Sequence, residues 1–147
     1  MSEVERTTRE SIARHGWHVI KVPDDAEGPG FAYNIGFHMT FDHPEVIVFG
    51  LDLDIMHRMI NNLGFELRAG ARFGPGDRCS EVLETCEVAF QAVARRHYDE
   101  YFGFGIRIQG EAFEAIQMCW PDARGRFPWE SGFSSAGGIE LPRLDVD

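Results

Sequence analysis

The sequence lacks long apolar runs and has few cysteines. No run approaches the roughly 20 apolar residues that a helix needs to span a bilayer. The charged N-terminus MSEVERTTRE is not followed by the hydrophobic region of a signal peptide, so we expect a cytoplasmic protein. The three cysteines, Cys79, Cys86 and Cys119, form no CxxC spacing, which favours free thiols over a disulfide framework or a cysteine-rich zinc site.

Basic residues are also scarce. The chain has 14 Lys and Arg against 24 Asp and Glu, a formal net charge of -10. Its local basic groups are small: Arg95 with Arg96, and Arg124 with Arg126. Because a polyanion is repelled by such a chain, we expect no nucleic-acid partner and no membrane partner, whereas a basic protein partner is electrostatically allowed.

Several catalytic signatures are missing. There is no serine elbow, no phosphate-binding glycine loop and no Rossmann fingerprint, since the glycines of GFGIRIQG at 103–110 lack a strand before them and a helix opening there. The WPD triplet at 120–122 is similar to the mobile loop of protein tyrosine phosphatases, but none of the cysteines has the arginine that CxxxxxR requires. A thiol phosphatase is therefore excluded.

The residues that are present predict one α+β domain over 1–147. At 147 residues and 44% apolar, the chain is long enough for one core and short for two domains. Residues 3–14 read as a helix, within an N-terminal segment 1–15 that Gly16 ends. Residues 31–37 alternate bulky and small side chains, the period of a strand. Further strands are predicted at 17–22, 46–51, 86–93 and 113–120.

Apolar residues at three- and four-residue steps predict a second helix from 53 to 63, closed by Gly64, with His57 and Asn61 outside its apolar face. A third helix is predicted over 96–109, and a C-terminal flap and tail over 121–147. The first three strands have short connections, which favour antiparallel neighbours. The prediction is a mainly antiparallel sheet of about five strands with two or three helices.

Four motifs in order carry a family resemblance. They are HGWHVIKV at 15–22, FAYNIGF with HPEVIVFGL at 31–51, HYDEYFG at 97–103 and IQMCWPDARGRFPWE at 116–130. Together they resemble an uncharacterised bacterial family of domains of unknown function, DUF4262, over most of the chain. Asn34 and Phe37 stand where the resemblance leads us to expect threonine and leucine. The resemblance implies no reaction.

One candidate site is the predicted loop at 38–44. It gathers His38, Asp42 and His43 between two apolar runs, where a rigid support would expose reactive side chains. Imidazole and carboxylate suit first-row metals, but the spacing matches no metal signature, so we predict no metal ligands and leave the question of a metal site open. His38 and Asp42 are predicted to bind ligand and His43 to act in catalysis.

Histidines occur in two further parts of the sequence. His97 and Tyr98 follow a predicted strand and precede a predicted helix, a position that presents an acid-base pair, so we predict catalytic roles for both. Their alternative is a cap or a satisfied hydrogen-bond partner. His15 and His18 receive less weight, because a helix end followed by a strand is expected to turn the two side chains apart.

The segment at 120–130 is unusually rich in indoles and carboxylates. Tryptophan faces attract cations and flat rings, while carboxylates orient amines and hydroxyls. We predict ligand contacts here; the structural alternative is an aromatic flap pinned to the sheet, with Asp122 and Gly125 making the turn. The predicted ligand-binding residues are Trp120, Asp122, Trp129 and Glu130.

Three functions remain open. The first is small-molecule binding, with possible enzymatic activity, in a pocket where residues 38–43, His97 with Tyr98, and residues 120–130 converge. The second is an acidic interaction module, for instance an immunity-type protein that neutralises a basic toxin. The third is a metal-binding hydrolase. The sequence does not identify a cofactor, a ligand or an oligomeric state.

Overall fold

The structure, a computed structural model, describes residues 2–134 and 141–145, so parts of the predicted tail, 135–140 and 146–147, lie outside it. The described residues form six strands: β1 (His18–Val22), β2 (Phe31–Ile35), β3 (Glu45–Phe49), β4 (Arg78–Cys79), β5 (Val88–Ala92) and β6 (Ala115–Cys119). Their α-helices are α1 (Glu3–His15), α2 (Phe37–Phe41), α3 (Leu53–Arg68), α4 (Tyr98–Tyr101) and α5 (Gly103–Gln109), with a 3₁₀ turn over Arg95–His97 before α4. No helix in this part of the chain has the length and apolarity to cross a membrane.

The strands make one sheet in the order β1-β2-β3-β6-β5-β4. The first three strands are antiparallel neighbours, as their short connections predict. β3 and β6 are parallel, with Glu45 opposite Ala115, and β5 and β4 continue the sheet in antiparallel fashion. The α+β class is confirmed, but the sheet is mixed and has six strands. The parallel pair joins segments far apart in sequence, which local periodicity does not connect.

Helix α3 covers one face of the sheet. Its apolar side, including Met56, Ile60 and Leu63, packs on Ala32, Val46 and other small or branched residues of the central strands. Ala32 comes from the thin face that the alternation in 31–37 predicts, and its small side chain lets the helix approach β2. This packing fixes α3 across β1 and β2.

The other face is covered by α4, α5 and the start of the C-terminal segment. Tyr98, Phe102 and Phe113 form an aromatic cluster there, with Tyr33 and Ile35 of β2 beneath it. Residues 96–109 are therefore helical as predicted, but in two short helices with a break at Phe102. The two cores lie on opposite faces, so residues assigned to different faces do not share a site.

Two boundaries differ from prediction around glycine. Gly64 does not end α3, because the helix runs on to Arg68. The glycine is needed for another reason: a Cβ there would lie 2.5 Å from the Trp17 ring. Gly36, with φ 133°, ends the second strand early and starts α2, so residues 37–41 are a short helix rather than strand and loop.

Candidate functional site

The three side chains predicted from the loop at 38–44 occupy different environments. His38 lies on α2, and its backbone N–H donates to a carboxylate oxygen of Glu45 at 3.2 Å. Asp42 is exposed and ends α2 in the left-handed conformation, with φ 54°. His43 is buried. Within the described residues, no group of three or more His, Cys, Asp and Glu side chains is placed to hold a metal ion.

Both ring nitrogens of His43 are used by the backbone. Nδ1 lies 2.8 Å from the Pro44 carbonyl, and Nε2 accepts from the Phe73 N–H at 3.1 Å. These bonds assign the neutral tautomer with its proton on Nδ1. Burial lowers the pKa of His43, and the charge of Arg72 lowers it further. The predicted proton transfer at His43 would break one of two structural bonds.

Tyr98 is likewise tied into the fold. Its hydroxyl accepts from the Ala115 N–H at 2.7 Å, and its ring stacks on Phe113 at 5.5 Å. Burial raises the pKa of Tyr98 above that of a free phenol. His97 ends the 3₁₀ turn, half-buried, with its ring 6.4 Å from that of Tyr101. The pair thus joins α4 to the start of β6.

The two tryptophans of the 120–130 segment serve different contacts. The Trp120 indole donates to the Phe49 carbonyl at 2.8 Å, which fixes the end of β6 to the end of β3. Trp129 stacks on Phe127 at 5.2 Å, nearly parallel. Phe127 in turn packs with Ala89 and Cys119 of the sheet, so the aromatic pair covers the β5–β6 surface.

The two carboxylates of this segment bind its own backbone. Asp122 accepts N–H bonds from Arg124, Arg126 and Ser134, and these bonds lower the pKa of its carboxyl, the Arg126 bond most of all. Glu130 accepts from the Phe127 N–H at 3.0 Å. Both carboxylates therefore bind the backbone of turns, and for Asp122 this is the arrangement that the structural alternative describes.

The fold does not gather these stretches around one cavity. His43 precedes β3 and Trp120 follows β6; because the two strands are parallel, the side chains lie at opposite ends of the sheet. Tyr98 belongs to the core under α4 and α5, whereas His43 contacts Phe37 in the core under α3. The shared pocket expected from the sequence is not built, and the roles of its individual residues stay predictions.

Glu45, at the start of β3, is a buried carboxyl group that the sequence analysis did not single out. Glu45 is fully buried and accepts from the Gly36 N–H at 3.0 Å and from Gln109 Nε2 at 2.7 Å. With its amide turned to satisfy both partners, Asn34 donates to the same carboxylate at 2.6 Å. Burial raises the pKa of Glu45 to about 7, against these hydrogen bonds. Glu45 caps α2 and joins β2, β3 and α5; the sequence showed only a carboxylate next to an apolar strand.

A cavity of about 430 Å³ lies where α1, β1 and α3 meet, and we call it the histidine pocket. Three of the six histidines line it: His15 at the end of α1, His18 at the start of β1, and His57 on α3. The pocket is lined by Ser11, His15, Trp17, His18, Val19, His57, Asn61, Phe65 and Arg68.

Trp17 organises the lining of the histidine pocket. Its indole Nε1 donates to Asn61 Oδ1 at 2.9 Å, and the ring seats against Gly64 of α3. The Arg68 guanidinium lies over the ring at 5.1 Å and donates to the His15 carbonyl at 2.6 Å, at the end of α1. These contacts hold the amide and the guanidinium in fixed positions before any ligand arrives.

Two imidazoles of the pocket, those of His18 and His57, have lowered pKa values. Burial lowers the pKa of His18, and repulsion from His57 lowers it further. The pKa of His57 is lowered by burial and by Lys21, with Asp54 acting in the opposite direction. A lower pKa favours the uncharged imidazole, which can donate one hydrogen bond and accept another.

Two other cavities of the described residues, one larger and one smaller than the histidine pocket, are lined by carboxylates. A cleft of about 740 Å³ is lined by Asp24, Asp52 and Asp54, beside the turn that joins β1 to β2. Two of these carboxylates have partners: Asp52 caps α3, and Asp54 lies 3.9 Å from Lys21. A cavity of about 250 Å³ on the other side of the turn is lined by Asp25, Glu27 and Glu100. We call the two cavities together the acidic cleft.

The sequence analysis did not predict that His15, His18 and His57 lie close together. His15 and His18 were expected to point apart, yet both line the same cavity. The helical period correctly placed His57 and Asn61 outside the apolar face of α3. That placement was the one sequence signal that these two side chains are free to line a cavity. What brings them to β1 is the packing of Trp17 on Gly64, which no local pattern reveals.

One family model matches the chain, described as Domain of unknown function (DUF4262), over residues 11–134. This confirms the family that the motifs resemble, and the match spans more than four-fifths of the chain. It includes every residue that lines the histidine pocket. No curated protein and no solved structure matches the chain.

Proposed function

We propose that this chain, which belongs to the DUF4262 family, binds a small molecule in the histidine pocket. The observation that supports the proposal is the lining itself. Three imidazoles, a guanidinium, an amide and two aromatic rings surround one cavity in which none of the nine lining residues is a carboxylate. On a chain with a net charge of -10, such a lining is not an average sample of the surface.

The dimensions of the histidine pocket suit a ligand. Its volume of about 430 Å³ falls within the roughly 300–1,000 Å³ that is usual for ligand pockets. Its walls come from two helices and a strand rather than from a long loop, so a bound molecule would meet a rigid surface.

Phe65 is an exposed aromatic side chain in the lining of the histidine pocket. It is 56% exposed, although its ring meets Trp17 edge to face at 5.7 Å. An exposed aromatic ring beside polar groups that converge on a cavity is typical of ligand sites. We expect a bound ligand to cover this ring.

A fragment screen by ligand-detected NMR tests the proposal. We expect at least one small fragment to bind the wild type and to bind Phe65→Ala about tenfold more weakly, since burial of an aromatic surface is lost. Met39→Ala is the matched control, because Met39 is 50% exposed and does not line the pocket. Equal loss in both variants, or no binder in a library of anionic, neutral and cationic fragments, would contradict the proposal.

A basic protein partner is the second candidate function. The observation that favours it is the acidic cleft, whose two cavities share Gly28 and Pro29 and carry six carboxylates without a lysine or arginine in their linings. We expect a lysine-rich peptide to bind the wild type at low salt and to lose affinity in Asp25→Asn/Glu27→Gln. Unchanged affinity in that variant would remove the cleft as the docking surface.

A further inference from the structure

We infer that the ligand of the histidine pocket is a small aromatic oxyanion, a carboxylate or phosphate carried on a flat ring. This inference rests on the proposed function and names the ligand class for the same site. The hydrogen-bond donors of the pocket, the charge of Arg68 and the exposed ring of Phe65 support it.

The polar groups that the pocket offers are mainly hydrogen-bond donors. Because an indole N–H only donates, the bond from Trp17 fixes the Asn61 oxygen as the acceptor and leaves its amide N–H₂ for other partners. Among the described residues, that N–H₂ group makes no hydrogen bond. A ligand with acceptor oxygens meets these donors, whereas an ammonium ligand would find the amide oxygen already engaged.

Arg68 carries a charge without a carboxylate partner in the described part of the chain. Its guanidinium carbon lies 5.1 Å from the centre of the Trp17 ring and 5.8 Å from the centre of the Phe41 ring, and one N–H binds the His15 carbonyl. A guanidinium has five N–H donors in one plane, so this contact leaves others for a carboxylate or phosphate. These contacts hold the guanidinium in place before a ligand binds.

The histidines add to the preference for an anion. His18 and His57 repel each other when both are protonated, and Lys21 adds positive charge next to His57. An oxyanion near them is attracted by the charge of Lys21 and by that of a protonated imidazole, while a cation is repelled. Asp54, whose charge acts on His57 in the opposite direction, lies 3.9 Å from Lys21 and does not line the pocket.

A flat ring follows from Phe65. The ring lines the pocket and is 56% exposed, and aromatic rings pair with flat ligands through offset or edge contacts. The same oxyanion should not bind the acidic cleft, because the carboxylates there would repel it.

Four probes of one size separate the ligand classes: benzoate, phenyl phosphate, benzamide and benzylamine. We expect benzoate or phenyl phosphate to bind wild-type protein about tenfold tighter than benzamide, and benzylamine to bind most weakly, as measured by NMR chemical-shift titration. The ranking of benzoate against phenyl phosphate distinguishes carboxylate from phosphate. Benzamide or benzylamine binding as tightly as both anions would overturn the ligand class while leaving the proposed small-molecule site in place.

Arg68→Met tests the charge that the inference uses. It should reduce benzoate affinity to that of benzamide, while Arg58→Met, an exposed arginine on the same helix but outside the lining, should leave the ranking unchanged. Arg68→Lys, which keeps the charge and loses the planar donors, should fall between them. Equal losses in Arg58→Met and Arg68→Met would show a net-charge effect and overturn the inference. Absence of binding by all four probes and by the fragment library would remove the proposed function itself.

Discussion

Glu45 is a carboxyl group that folding removes from water. It keeps its proton up to a pKa of about 7 in the folded chain, against an ordinary value of 4.5. Between pH 4.5 and about pH 7 the carboxyl is protonated in the native state and ionised in the unfolded state. The contribution of this group to the free energy of unfolding therefore falls as the pH rises. The stabilisation is complete below the unfolded pKa and is lost as the pH passes the folded pKa.

The pH dependence of Glu45→Gln measures this effect. The free energy of unfolding of the wild type minus that of the variant should fall by about 3 kcal/mol from pH 4 to pH 8, at about 1.4 kcal/mol for each pKa unit. Urea unfolding at several pH values gives the difference. Glu114→Gln, which changes an exposed glutamate, is the control and should show no comparable slope. A flat difference for Glu45→Gln would mean that the buried carboxyl is not protonated as described.

The hydroxyl of Tyr98, for which a catalytic role is predicted, accepts a backbone hydrogen bond from Ala115. Tyr98→Phe leaves the Ala115 N–H buried without an acceptor, so we expect a loss of about 1–2 kcal/mol in the free energy of unfolding. Tyr101→Phe, at a half-buried tyrosine of the same helix, should cost less than about 0.5 kcal/mol. Chemical denaturation of both variants checks the comparison, and equal stabilities would deny Tyr98 its structural role.

At the scale of elements, the joint between α1, β1 and α3 depends on Gly64. Alanine normally favours a helix interior by about 1 kcal/mol over glycine. Gly64→Ala should nevertheless lower the free energy of unfolding by about 1–3 kcal/mol, because its Cβ would meet the Trp17 ring at 2.5 Å. Gly103→Ala, at the start of α5 with no atom within 4 Å of the added Cβ, should not destabilise. Thermal unfolding of the pair tests this packing, and a stabilised Gly64→Ala would contradict it.

The elements also show how far local pattern goes. β2 and β3 follow from alternation and from an apolar run, and the apolar side of α3 follows from its helical period. Gly64 was misread as a helix end, because a glycine required by a neighbouring ring looks the same in sequence as one that ends a helix. The parallel pairing of β3 with β6 depends on contacts between distant segments, which periodicity does not record.

The candidate site was less predictable than the fold for the same reason. Spacing along the chain drew attention to His38, His43 and His97, whose surroundings the fold makes dissimilar. The cavity instead collects histidines from three elements, and their proximity arises only when α3 packs across β1. Residue type indicated which side chains carry chemistry, but tertiary packing decided which of them meet.

On the scale of the whole molecule, the edge strand β1 separates two kinds of surface. His18 at its start lines the histidine pocket, while Val22 at its end lines part of the acidic cleft. On a chain with a net charge of -10, the histidine pocket is thus lined without carboxylates, whereas the acidic cleft is lined with them. Such a division favours ligands of opposite sign at the two places.

The most direct test of the proposed site follows the Cε1–H resonances of all six histidines during a titration with benzoate, assigned by single His→Gln variants. The histidine pocket predicts that His15, His18 and His57 shift together with one dissociation constant, while His38, His43 and His97 stay in place. Shifts confined to the second set, or equal shifts in all six, would contradict a ligand site between α1, β1 and α3.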